Sequence, residues 1–98
     1  VTSRPTRIQR ADWAALLGEF ERFFSGLGSV TVSEDEAEFV AGFTGLALQR
    51  DGSSRSFMPL HNLEAAWSEV EFDYDQHLVT LRSEGTRYEY RVPPNLLE

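Results

Sequence analysis

Seven apolar residues, Trp13, Leu16, Leu17, Phe20, Phe23, Phe24 and Leu27, are separated by 3, 1, 3, 3, 1 and 3 positions, which places all of them on one stripe of an α-helix. No other stretch has this period. The stripe predicts a helix over about 10–26, with Glu19, Glu21, Arg22 and Ser25 on the opposite side, Asp12 in the positive first turn and Ile8 packed back on Trp13. Gly26 or Gly28 ends it in a left-handed conformation. Residues 1–9, with Pro5 and two arginines, are expected to be extended or frayed, and residues 10–98 to form a single domain.

Everything after Gly28 reads as β-strand. A turn at Ser33–Glu36 sets Val32 opposite Ala37 and Val30 opposite Phe39, and the alternation runs on through Ala41 and Phe43. Beyond Phe43 the parity shifts to Leu46 and Leu48, which predicts a bulge or bend near Thr44-Gly45. Asp51-Gly52 marks a reversal into a strand at about 54–60, where Pro59 demands an edge or a strand end. His61–Trp67 is expected to be a connection with room for one helical turn capped by Asn62. In the last third, a turn at Glu84-Gly85 pairs Leu81 with Tyr88, Val79 with Tyr90 and His77 with Val92. A turn near Asp73–Gln76 sets Val70 and Phe72 against His77, Val79 or Leu81 in one of two registers, and Pro93-Pro94 closes the last strand.

The predicted fold class is therefore α+β: one N-terminal amphipathic helix packed on a six- to seven-stranded antiparallel meander sheet. Six strands span about 29 Å, whereas a helix with its side chains covers only ~10–12 Å. Three outcomes resolve the mismatch. The sheet curls round the helix as a half-barrel, another protein or a second copy covers it, or an apolar groove stays open for a ligand.

Composition then removes whole classes of function. Sixteen acidic against nine basic residues give a formal charge of −7, which disfavours nucleic acid and anionic membranes as partners. No stretch approaches the ~20 apolar residues of a transmembrane helix, and Val1–Pro5 opens no signal-peptide pattern, so a cytoplasmic location is expected. Cysteine is absent, which excludes disulfides, thiolate nucleophiles, cysteine-bound zinc and iron–sulfur clusters. Lysine is absent too, which excludes Schiff-base chemistry. No cofactor is implied.

Among residues that can carry chemistry, His61 and His77 with Asp73 and Asp75 allow an acid–base pair or a partial metal site to be drawn. Turn solvation and an ordinary hydrogen-bonded histidine explain them better. Glu34, Asp35, Glu36 and Glu38 lack the spacing and the glycine of a calcium loop and read as a solvated hairpin tip. Ser53, Ser54 and Ser56 have no nucleophile elbow around them. The leading expectation is a small non-enzymatic binding or assembly module, a homodimer or the receptor of a partner protein. In it, uncovered sheet surface is the interface, and Arg55, Arg82, Arg87 and Arg91 pair with a partner's carboxylates. A second expectation is a small-molecule pocket of about 300 Å³ or more between helix and sheet, lined by Trp13, Phe20, Phe39, Phe72 and Tyr90. The third is an enzyme using His61 or His77 with Asp73 or Asp75.

Overall fold

Among the described residues the first element is a strand. The computed structural model describes residues 5–58 and 61–97, and its first element, β1 (Thr6–Gln9), is followed by α1 (Trp13–Phe24). The helix buries Trp13, Leu16, Phe20, Phe23 and Phe24, the stripe that its spacing predicts, and stops short of Leu27. Asp12 is the N-cap residue but its side chain makes no capping hydrogen bond. Gly26, at φ +80, turns the chain away.

The strands divide between two antiparallel sheets, which corrects the expectation of a single six- to seven-stranded meander. β2 (Ser29–Val32), β3 (Glu36–Ala41), β4 (Thr44–Gln49), β5 (Ser53–Met58) and β6 (His61–Ala66) follow one another in a five-stranded sheet. β7 (Glu69–Asp73), β8 (Leu78–Ser83) and β9 (Thr86–Arg91) join β1 in a four-stranded sheet of order β1-β7-β8-β9. The α+β class and the antiparallel pairing stand, and neither sheet closes into a barrel. Alternation specifies which side chains share a face within a hairpin but not whether successive hairpins share a sheet. Here the chain changes sheets at Trp67-Ser68, where Trp67 N–H bonds to Gly52 O and Ser68 N–H to Arg82 O.

Hairpin registers agree with the parity reading. Val30 faces Phe39, Val32 faces Ala37, Leu81 faces Tyr88 and Val79 faces Tyr90, while the open choice between β7 and β8 resolves as Val70 with Leu81 and Phe72 with Val79. Two local expectations are overturned and a third is refined. The parity shift after Phe43 is not a bulge but a reversal: Ala41 pairs with Thr44 across a two-residue Gly42-Phe43 loop. Gly42 has φ +63 and Phe43 does not share the positive φ, the type II′ arrangement that suits strand twist. Phe43 therefore leaves the core and stands 81% exposed at the loop tip. His61–Ala66 is strand β6, not a loop with a helical turn, and pairs along its length with β5. His77 faces Val92 as the parity predicts, its carbonyl accepting the Val92 N–H at 3.0 Å, but it lies in the β7–β8 turn at φ +53, a left-handed conformation that costs an L-residue roughly 1–2 kcal/mol. Pro59 and Leu60, at the end of the strand predicted over about 54–60, lie outside the described residues.

Helix and sheets bury one another, which answers the mismatch of widths. Phe24 stacks on Phe39 of the five-stranded sheet with ring centroids 4.1 Å apart, and Phe23 meets Phe72 of the four-stranded sheet at 5.4 Å. Beyond the helix the two sheets meet directly, and two hydroxyl pairs cross between them. Thr44 Oγ1 lies 2.7 Å from Tyr90 OH, and Ser56 Oγ lies 2.6 Å from Tyr88 OH. Trp67 sits at the corner with its indole N–H shared between the carbonyls of Gln49 (3.2 Å) and Ser53 (2.9 Å). No described helix is long and apolar enough to cross a membrane.

Tyr74, in the β7–β8 turn, latches the outer side of the helix. Its ring lies 5.1 Å from that of Phe23 and its hydroxyl donates to the Glu19 carboxylate, which Arg22 also holds at 3.1 Å. Burial, followed by the Glu19 hydrogen bond and charge, pushes the phenol up to about 12. The folded state thus keeps the Tyr74 proton where the unfolded chain, with an ordinary phenol near 10, has released it. Its contribution is complete below pH 10 and is lost as the pH rises towards 12. Unfolding free energy measured across that interval is expected to fall with pH, and to fall less steeply in Tyr74→Phe. Equal slopes for the two proteins would refute the assignment.

Candidate functional site: the outer face of the five-stranded sheet

The face of the five-stranded sheet turned away from the core runs in three rows defined by strand register. At the Gly42-Phe43 end the row runs Ser29, Val40, Gly45, Phe57 and Asn62. The middle row is Glu38, Ala47, Arg55 and Glu64, and the far row includes Glu36 opposite Gln49. The three middle positions of this row are apolar, and Phe57 is folded over Gly45: a Cβ on that glycine would lie 2.6 Å from the Phe57 ring. An aromatic ring laid across a strand glycine shields the backbone that the glycine would otherwise expose. Every residue from Thr44 to Leu48 is buried, so β4 is covered on both faces. Phe43 continues this apolar end into solvent.

The other end of the face is polar. A groove of about 670 Å³ opens there, lined by Gln49, Asp51, Ser53, Arg55, Glu64 and Ala66. Arg55 reaches Glu36 at 3.6 Å, and the Gln49 side-chain amide donates to the same carboxylate. In the turn, the Asp51 carboxylate accepts the Ser53 hydroxyl at 2.7 Å and the Ser53 N–H at 2.9 Å, and these two bonds hold its pKa below the usual carboxylate value. Arg10 donates to Asp51 O at 2.6 Å, and its guanidinium fills the space beside Gly52, where a Cβ would approach it to 2.0 Å. Arg10 and Asp51 also line a second cavity of about 590 Å³, with Gln9, Ala11, Arg50 and Ser68.

These groups can recognise a ligand but do not form a reacting set. Asp51 is committed to its own turn, the serine beside it donates to that carboxylate, and no histidine lines either cavity. No group of three or more metal-ligating side chains occurs among the described residues.

The candidates read from sequence are dispersed over the molecule. Trp13, Phe20, Phe39, Phe72 and Tyr90 come together, but as members of one packed cluster at 5% exposure or less, and they line neither cavity. Of the four arginines only Arg55 is on this face. Arg82, Arg87 and Arg91 belong to the outer face of the other sheet, where Arg82 is 3.6 Å from Glu71, Arg87 is 2.6 Å from Glu89 and Arg91 donates to Gln76 O at 3.4 Å. Asp73 accepts the Gln76 N–H at 3.0 Å and its side-chain amide at 3.2 Å, closing the turn that also holds Asp75 and His77. The His61 side chain lies outside the described residues. Phe43 is the feature that the sequence reading missed, and the signal for it was the glycine before it. Compared with known proteins, the chain matches no family model, no curated protein and no solved structure.

Proposed function

We propose that the protein is a non-enzymatic binding module whose outer five-stranded face receives a partner protein, with Phe43 as the anchor. One observation carries this: a phenylalanine held 81% exposed at the tip of a tight loop. A two-residue loop gains nothing from an aromatic ring in water, whereas burying such a ring against a partner is worth about 1.5–3 kcal/mol. Val40 and Phe57 behind it supply an apolar centre, and Glu38, Glu64 and Arg55 a charged rim, the usual anatomy of a recognition surface. The partner is a different protein rather than a second copy, because two chains of charge −7 repel.

The test is selection of binders from a displayed random-peptide library. Sequences enriched on the wild-type chain are expected to bind Phe43→Ser at least tenfold more weakly, the equivalent of about 1.4 kcal/mol. Thermal unfolding of the variant should change by less than about 0.5 kcal/mol, as for other surface substitutions. Binders indifferent to Phe43 would remove the reading.

A further inference from the structure

The four sheet edges are not equally protected. Ser33 N–H bonds to Glu36 O, so the hydrogen-bonded pairs of β2 and β3 are Ser33 with Glu36, Thr31 with Glu38 and Ser29 with Val40. The N–H and C=O groups of Val30 and Val32 consequently point out of the sheet, and no other strand pairs with β2 among the described residues. Charged side chains usually guard such an edge. β9 carries Arg87, Glu89 and Arg91, β1 carries Arg7 and β6 carries Glu64, whereas β2 reads Ser-Val-Thr-Val, with Ser29 and Thr31 exposed. The charge lies next to it instead: Glu34, Asp35 and Glu38 have no ion-pair partner among the described residues.

We infer that the β2 edge accepts an extended, basic polypeptide segment, which adds a sixth strand to the sheet. Backbone pairing at Val30 and Val32 supplies the register, and lysines or arginines on alternate residues meet the carboxylates of the β2–β3 hairpin. The inference rests on the reading of the protein as a receptor for another protein, though not on Phe43.

Hydrogen exchange at the Val30 and Val32 amides tests it, with three synthetic ten-residue probes: alternating Lys-Thr, alternating Glu-Thr, and Lys-Thr N-methylated at every second amide. The Lys-Thr probe is expected to slow both amides at least tenfold, and the other two to leave them unchanged. Equal protection by the acidic probe, by the N-methylated probe or by raising the protein concentration alone would overturn the inference. So would unchanged exchange with Lys-Thr at its highest soluble concentration. If that failure comes while library binders still depend on Phe43, only the edge is refuted. Protection that persists in Phe43→Ser, with library binders indifferent to Phe43, would refute the anchor and leave the edge.

Discussion

Replacing Trp67 by alanine is expected to cost about 3–5 kcal/mol of unfolding free energy, the range for truncating a buried tryptophan. Trp67 is 2% exposed, lies 6.3 Å from the ring of Trp13 and fills the corner where the chain passes from one sheet to the other. Its N–H also holds the carbonyls of Gln49 and Ser53 at either end of the Asp51-Gly52 reversal. Trp67→Phe separates these contributions. It keeps an aromatic ring but removes the donor, and is expected to cost about 1–3 kcal/mol for the lost bond to the Ser53 carbonyl and the residual space, while the Gln49 carbonyl keeps the Gly52 N–H at 3.0 Å. Denaturant unfolding of the three proteins measures both steps. A loss below about 1 kcal/mol in the alanine variant would mean that the corner is not a stabilising element.

The second large effect is expected from a substitution that ordinarily helps a strand. Glycine within a strand is usually the weaker choice, so Gly45→Ala would be stabilising at an average position. Here the new methyl would meet the Phe57 ring at 2.6 Å and the Phe39 carbonyl oxygen at 2.7 Å, one of them unyielding backbone. The expected cost is about 1–3 kcal/mol, as for overpacking a core. Phe57→Ala in the same chain removes one of the two clashes. The double variant should therefore lose less than the sum of the single losses by at least about 0.5 kcal/mol. Simple additivity would show that the ring does not rest on the glycine in solution.

What the sequence disclosed and what it hid follow from how each residue is constrained. The stripe from Trp13 to Phe24 and the pairs Leu81–Tyr88 and Val79–Tyr90 were legible because one wet and one dry face impose a period on side-chain type. β1 and β6 were not. Thr6–Gln9 offers one apolar residue and His61–Ala66 has neither alternation nor β-branched side chains, and both form sheet edges. Phe43 misled for the opposite reason: hydrophobicity alone placed it inside, whereas Gly42 in front of it and the parity change behind it together describe a reversal. Of the candidate site, Arg55 was legible as an exposed strand residue. Its separation from Arg82, Arg87 and Arg91 was not, since alternation cannot assign strands to one sheet or the other.

The hydroxyls that bridge the sheets, Thr44 with Tyr90 and Ser56 with Tyr88, have a consequence for how this sequence can change over time. Losing one member leaves the other without its partner, in the buried interior for Thr44 and Tyr90 and in a part-buried setting for Ser56 and Tyr88, whereas exchanging both for hydrocarbon of similar shape is nearly neutral. Each pair should then drift as a couple, tyrosine giving way to phenylalanine only where the small alcohol opposite it gives way too.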